Sequence, residues 1–179
     1  MQGLLKVSRA IDALNQRIGG IADWLIFLSV LIAAGNATMR YLLDYSTNGL
    51  LEVQWYLFGG AVFLGASYTL KLNEHVRVDI VYSHLPERAR LIVDAVGLLV
   101  FLIPAMAFFA WLSWPVFARA FESGEMSSNY GGLPQWPILL MLPLGFALLS
   151  LQGLSELIKR IAALRHEAYV DTHYEKPLQ

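Results

Sequence analysis

Few side chains in this sequence have the type and spacing that catalysis or metal binding requires. His75 and Asp79 are four residues apart, so on a helix they would present two metal ligands on one face. The alternation of Val76, Val78 and Ile80 with polar residues favours a short extended segment instead, and no third ligand is evident. A metal site at this position is therefore not expected.

Cofactor chemistry has no better support. The chain contains no cysteine, which excludes disulfides, thiolate chemistry and cysteine-based metal sites. The glycine pairs at residues 59–60 and 131–132 lack the spacing of a phosphate-binding loop. A haem inside a helix bundle needs a ligand within the apolar stretches, and the other histidines, His84, His166 and His173, lie outside them. We expect a protein that is not an enzyme and has no cofactor.

Four long apolar stretches dominate the chain. Hydrophobic residues make up 56% of the sequence and charged residues 15%, which is too apolar for a soluble domain of this size. A bilayer core about 30 Å thick needs roughly 20 helical residues, and each stretch is long enough. The sequence predicts an all-α integral membrane protein with four transmembrane helices, at about residues 21–43, 53–72, 91–118 and 136–157, within a membrane domain of residues 21–160.

The basic residues indicate how the helices cross the membrane. Eleven of the thirteen Lys and Arg residues lie in the N-terminal segment, the middle loop and the C-terminal segment, while Arg40 and Arg119 are alone in the other two loops. Short basic segments stay in the cytoplasm, so both termini and the middle loop are predicted to be cytoplasmic. We expect a multi-pass protein of the bacterial inner membrane.

The two ends of the chain differ from the membrane domain. In residues 1–20, apolar residues recur at steps of three and four between charged ones, which predicts an amphipathic helix. This helix could lie in the cytoplasmic interface, in contact with lipid headgroups, or it could pack on a partner subunit. Residues 161–179 are predicted to form a cytoplasmic tail, with the fourth helix continuing into its first part.

Polar groups within the spans are few, and the carboxylates among them are shallow. Asp94 follows Arg90 by four residues, which favours a local ion pair near the interface, and Asn36 is expected to hydrogen bond to another helix. Ala61 and Gly65 belong to a face of small residues that would let another helix approach closely, either from this chain or from another. Proline inside the third and fourth spans, at residues 104 and 143, predicts kinks.

Three segments resemble the small membrane subunit of tripartite ATP-independent periplasmic (TRAP) transporters. They are EVQWYLFG at residues 52–59, NEHVRVD at residues 73–79 and SNYGGLPQWP at residues 128–137. The resemblance extends over residues 21–160, and its most specific part is the middle loop. It implies a four-helix subunit that works with a much larger membrane subunit on a separate chain and with a periplasmic solute-binding protein.

The resemblance also implies a division of labour. The large subunit of that family holds the substrate and sodium sites and moves during transport, whereas the small subunit braces it; the solute is typically a carboxylate. The residues themselves agree with this. The four helices have no deep charges, no paired broken helices and no inverted repeat, and such helices are not expected to form a transport pathway. A small ion-coupled exporter and the membrane anchor of a respiratory complex are the alternatives.

Candidate residues for structural or subunit contacts come from these segments and from the small-residue face of the second helix. They are Glu52, Gln54 and Trp55 at the outer end of the second helix, Ala61 and Gly65 on its small-residue face, and Asn73, His75, Arg77 and Asp79 in the middle loop. Trp55 could instead be a simple interface anchor, and Arg77 could pair locally with Asp79 or Glu74. The outer loop of residues 122–135 is a candidate contact for the binding protein. No nucleic-acid partner is expected.

Overall fold

The computed structural model describes residues 2–73 and 82–165, and these residues are almost entirely helical. The elements are α1 (Gln2–Leu43), α2 (Asn48–Leu72), a short 3₁₀ turn (Tyr82–His84), α3 (Glu87–Val96), a π-helical segment (Gly97–Leu102), α4 (Ile103–Ser123) and α5 (Trp136–Leu164). α3, the π-helical segment and α4 form one uninterrupted run. The described part of the chain therefore has four helices long and apolar enough to cross a membrane, which confirms the predicted all-α membrane architecture.

The first helix is longer than the sequence predicted. The amphipathic helix of residues 1–20 and the first span, predicted as two segments, belong to one helix, α1, of 42 residues. At about 1.5 Å per residue it is roughly 63 Å long, twice the thickness of an apolar bilayer core. Two glycines at residues 19 and 20 do not interrupt it. A Cβ atom on Gly19 would lie 2.5 Å from the ring of Tyr68, so this glycine serves close packing of α2 rather than a turn.

The second helix has clear signals at both ends. The Thr47 side chain accepts a hydrogen bond from the Leu50 backbone N–H at 3.4 Å, so α2 begins five residues before the predicted start of the span. At the other end, Asn73 adopts the left-handed conformation with φ of 59°, and its backbone N–H donates to the Leu70 carbonyl. Asparagine tolerates this conformation better than most residues, which explains why the helix stops there.

The third span contains the local distortion that proline was expected to cause. Pro104 has no N–H to donate, and its ring would crowd the carbonyl four residues earlier in a regular α-helix. The six residues Gly97–Leu102 are π-helical, and the Ile103 N–H donates to the Leu98 carbonyl five residues back. The wider turn leaves room for the proline ring. In contrast, Pro143 lies inside α5, which is assigned as one helix from Trp136 to Leu164.

The last helix is the centre of the bundle. α5 packs against α1, α2 and the third span, and its apolar stretch is more buried than that of the other three. Two glycines permit close approach: a Cβ atom on Gly145 would lie 2.7 Å from the Phe63 carbonyl oxygen, and one on Gly153 would lie 2.7 Å from Leu102. Most large apolar side chains of α1 and α4, and several of α2, are exposed, as expected for helices that face lipid or a partner subunit.

Candidate functional site

One polar site lies at the N-terminal end of α2, predicted to face outward, and is centred on Glu52. Its side chain is only 7% exposed although the residue is charged. Oε1 accepts hydrogen bonds from the Ser127 hydroxyl and from Asn129 Nδ2, the latter at 2.7 Å, and Oε2 accepts the Leu133 backbone N–H at 2.7 Å. A buried carboxylate is stable only with such partners. Glu52 thus fastens the loop between α4 and α5 to the start of α2.

That loop, residues 124–135, has its own internal order. The Ser127 N–H donates to the Leu133 carbonyl at 2.9 Å, and the Gln135 N–H donates to the Glu125 carbonyl at 2.9 Å. A second connection to α2 comes from Asn48, whose Nδ2 donates to the Tyr130 carbonyl at 3.3 Å. The loop is therefore closed and hairpin-like, it covers the end of the bundle where α2 begins, and the Tyr130 side chain on it is almost fully exposed.

The other predicted residues of α2 have different surroundings. The Gln54 carbonyl accepts a hydrogen bond from the Ser29 hydroxyl at 3.2 Å, which links α2 to α1. Trp55 is 76% exposed on the outside of the bundle, as either a membrane anchor or a subunit contact requires. Ala61 is buried, and a Cβ atom on Gly65 would lie 3.5 Å from the Ala22 Cβ atom of α1. The approach of α1 at Gly65 is therefore internal to the chain.

Of the four candidates in the middle loop, Asn73 lies within the described residues. Asn73 is the residue that ends α2. His75, Arg77 and Asp79 lie outside the described residues, so their predicted contacts stay predictions.

A second polar site, which the sequence did not predict, joins the first half of α1 to the last turns of α5. Asn15 and Gln152 are both fully buried, and Asn15 Nδ2 donates to Gln152 Oε1 at 2.8 Å. The Gln152 amide nitrogen in turn donates to Asp12 Oδ1 and to Glu156 Oε1, each at 2.9 Å. We call the cluster formed by Ser8, Asp12, Asn15, Gln152, Ser155, Glu156 and Lys159 the inner polar cluster.

Charges and hydroxyls complete the inner polar cluster. The Ser155 hydroxyl donates to Asp12 Oδ1 at 2.7 Å, and the hydroxyls of Ser155 and Ser8 are 2.7 Å apart. Lys159 donates to both Asp12 Oδ2, at 3.2 Å, and Glu156. Nearly every polar atom of the cluster has a partner, the exception being Asn15 Oδ1. Such a satisfied network fixes the register of two helices, because any slip leaves buried groups unpaired.

The structure also supplies the partners of two isolated polar residues. Asp94 was expected to pair with Arg90 on its own helix, and its Oδ2 atom lies 3.5 Å from Arg160 Nε on α5, a contact that the sequence did not indicate. Asn36 was expected to bond to another helix, but its Oδ1 atom accepts a hydrogen bond from Ser46 in the loop between α1 and α2, at 3.1 Å. Both residues are structural links near the ends of the bundle.

A signal for the inner polar cluster was present in α1, on a face next to the apolar stripe. Ser8, Asn15, Gly19 and Ala22 recur at helical spacing and are all buried, which is the pattern of a face of small and polar residues that packs on another helix. In the apolar stripe used to predict an amphipathic helix, Leu4, Val7 and Leu14 are exposed, and Ile11 and Ile18 are half-buried. The stripe is thus available for lipid or for another subunit.

Similarity to known proteins identifies the family. The family model described as "Tripartite ATP-independent periplasmic transporters, DctQ component" matches residues 28–163, which is most of the chain. The chain belongs to this family. It is accordingly a small TRAP transporter permease component and a multi-pass membrane protein, from a family of transporter components that is not known for catalysis. No curated protein and no solved structure matches the chain.

Within residues 2–73 and 82–165, no group of three or more histidine, aspartate or glutamate side chains is placed to hold a metal ion. The two polar sites tie helices and a loop together, and each lies near one end of the bundle.

Proposed function

We propose that this chain is the scaffold subunit of a TRAP-type secondary transporter. It braces a large membrane subunit, on a separate chain, during sodium-coupled uptake of a carboxylate that a periplasmic binding protein delivers. Family membership supports the setting, because the chain matches the DctQ component over residues 28–163. The complex lies in the bacterial inner membrane, with both termini of this chain in the cytoplasm, as the distribution of basic residues favours.

The distribution of polar groups carries the proposal of a bracing role. Between the Glu52 site and the inner polar cluster, the buried polar side chains Ser67 and Ser113 donate to carbonyls of their own helices. No charged side chain is buried in that middle region among the described residues. A hydrophilic solute crossing the bundle would lose its hydration without gaining partners, which is strongly unfavourable. Transport therefore belongs to the partner subunit.

Rigidity is what a brace must contribute to a moving partner. Glu52 holds the outer loop, the inner polar cluster holds α1 on α5, and the glycines of α5 bring α2 and the third span into close contact with it. A bundle that is fixed at both ends can widen the footprint of a mobile subunit in the bilayer and resist its tipping. The exposed apolar stripe of α1 extends this footprint, either in the cytoplasmic interface or against the large subunit.

Assembly with the large subunit provides the test. Replacing both Arg77 and Asp79 by alanine in the middle loop should reduce the amount of large subunit that copurifies with this chain. The matched control is alanine at Arg9, an exposed basic residue of α1 outside the segments that resemble the family. Equal copurification of the large subunit with wild type, control and double variant would argue against the middle loop as a subunit contact.

The outer loop is the proposed contact for the binding protein. It is held rigidly by Glu52, and Tyr130 and Met126 are exposed on it. A contact of this kind would be weak and transient, in keeping with a partner that must bind and leave in each cycle. Replacing Tyr130 by serine should lower the apparent affinity of the assembled transporter for the loaded binding protein, measured by surface plasmon resonance, without changing assembly.

A further inference from the structure

A carboxylate lies on the outside of the bundle, on a stretch of α1 that is otherwise apolar. Asp23 is exposed, and the large apolar side chains near it on α1 are exposed as well, namely Ile21, Trp24, Ile26 and Phe27. Within the described part of the chain, Asp23 makes no hydrogen bond or ion pair. The chain therefore presents this carboxylate to its surroundings without a partner of its own.

The contacts between α1 and α2 show how deep Asp23 lies. The two helices are antiparallel, and Lys71 Nζ donates to Gln16 Oε1 at 2.8 Å. Asp23 follows Gln16 by seven residues, so it lies about 11 Å from the level of Lys71, in the direction of Glu52. The 18 uncharged residues between Glu52 and Lys71 extend over about 28 Å, close to the thickness of an apolar bilayer core. Asp23 is thus deeper than a first span beginning at residue 21 implied.

An unpaired carboxylate at this depth is unfavourable. Ionisable side chains in the apolar core pair with another group or face water, because they lose hydration without compensation otherwise. Lysine and arginine can extend to the membrane surface, but the aspartate side chain is too short to do so. Arg17 precedes Asp23 by six residues, which separates them by about 9 Å along α1 and by about a third of a turn around it. Asp23 therefore needs a partner from another molecule.

The surroundings of Asp23 favour a cation as that partner. Asp23, Trp24 and Phe27 line a depression of about 250 Å³. The two rings meet edge to face, with their centroids 5.7 Å apart. An aromatic ring attracts a cation to its face, and a carboxylate pairs with one through a charge-assisted hydrogen bond. Lipid headgroups carry their ammonium groups at the membrane surface and not at this depth. The group that fits is a lysine or arginine side chain of a transmembrane helix.

A second copy of this chain does not offer such a group. In a symmetric pair with both copies in the same orientation in the membrane, Asp23 would meet residues at its own depth. The basic residues of the described helices lie nearer the two ends of the bundle, such as Arg17 and Lys71 towards one end and Arg40 and Arg119 towards the other. The cation must therefore come from a different protein.

We propose that α1 docks on the large TRAP subunit through the face formed by Asp23, Trp24, Phe27 and Leu31, which we call the Asp23 face. A transmembrane helix of the large subunit inserts a lysine or arginine side chain between the carboxylate and the two rings. Exposed Leu31 extends the contact by one turn, and Gly20, with no atom within 4 Å of an added Cβ, lets the partner helix approach closely. This inference rests on the proposed function, which supplies the partner.

Photo-crosslinking in membranes that contain both subunits tests the contact. The crosslinking amino acid p-benzoylphenylalanine replaces Trp24 or, as the matched control, Trp111 on α4; the two side chains are 65% and 70% exposed. Ring contacts of Phe146 with Phe63 on α2 and with Phe109 on α4 place Trp111 at a similar depth. We expect an adduct with the large subunit from position 24, and adducts with lipid alone from position 111.

The other adducts would overturn the inference. Position 24 crosslinked to lipid alone would mean that the Asp23 face has no protein partner, and an adduct with a second copy of the chain would mean that the face forms a homodimer. Equal adducts with the large subunit from both positions would show no preference for this face. In each of these cases the large subunit can still copurify with the wild-type chain, whereas failure of the proposed function would abolish that copurification.

Removing the charge separates docking from a structural role. Asp23→Asn should weaken the association of the two subunits in proteoliposomes about tenfold, measured by energy transfer between labelled subunits, because a charge-assisted hydrogen bond contributes about that factor. The thermal midpoint of the isolated chain should stay the same or rise, because an unpaired carboxylate is lost from the apolar zone. The control is Asp44→Asn, at an exposed position after α1, which should change neither. Unchanged association in Asp23→Asn, or a lower midpoint of the isolated chain, would contradict the proposed contact.

Discussion

Replacing Glu52 by glutamine should free the outer loop while leaving the bundle folded. The carboxylate accepts from Ser127 and Asn129 on one oxygen and from the Leu133 N–H on the other. A glutamine has one oxygen, so its amide nitrogen must face a donor in either orientation. At least one hydrogen bond to a charged acceptor is lost, which weakens the attachment of the loop by about 1.5–3 kcal/mol.

Hydrogen exchange measured by mass spectrometry detects this loss of local stability as a faster rate of amide exchange. A loss of about 1.5–3 kcal/mol in local stability corresponds to roughly 10- to 150-fold faster amide exchange in residues 124–135. Exchange in α5 should stay close to wild type, because the packing of α5 does not involve this carboxylate. The control is Glu125→Gln, the same substitution at an exposed position of the same loop.

Two outcomes would rule out this role of Glu52. Exchange in the outer loop that is no faster in Glu52→Gln than in Glu125→Gln would mean that the buried carboxylate does not hold the loop. A uniform increase over the loop and all four spans would mean that Glu52 stabilises the whole bundle instead of fastening one segment. A carboxylate that acts as a local anchor changes exchange in the loop alone.

Two further substitutions test the packing of α5. Gly145→Ala should lower the free energy of unfolding by about 1–3 kcal/mol, because the new methyl group would lie 2.7 Å from the Phe63 carbonyl oxygen. The control is Gly97→Ala, which has no atom within 4 Å of the added carbon and should be neutral or stabilising. Equal thermal midpoints in detergent would contradict this. Asn15→Ala leaves Gln152 without its buried donor and should cost about 1–3 kcal/mol, and an unchanged midpoint would show that the inner polar cluster contributes nothing.

The membrane architecture could be predicted from the sequence because the bilayer leaves few alternatives. Every backbone polar group in lipid must be satisfied within the segment, so an apolar stretch of about 20 residues has to be helical. Each predicted span lies within one of the four long apolar helices; α2 begins earlier than expected, and α5 continues beyond the fourth span as expected. Glu52 was recognised as important, but its role as the anchor of a loop 75 residues away was not visible in one sequence.

Several contacts were missed for one physical reason. An apolar stripe on α1 looks the same whether it faces headgroups, lipid or protein, so it gave no sign that residues 2–43 form one continuous helix. Asp94 has a sequence neighbour at the right spacing, which concealed its contact with Arg160. The Asn15–Gln152 pair of the inner polar cluster joins residues 137 positions apart, and a single sequence gives no information on which distant helices meet.

Reconstitution is the decisive test of whether this chain supports transport without carrying solute itself. Proteoliposomes containing this chain alone, the large subunit alone or both are given loaded binding protein and an inward sodium gradient, and uptake of labelled dicarboxylate, keto acid and sialic acid is measured. We expect accumulation only with both membrane subunits and none with this chain alone. Accumulation of any of these carboxylates by vesicles that contain this chain alone would show that it is a transporter in its own right and not a brace.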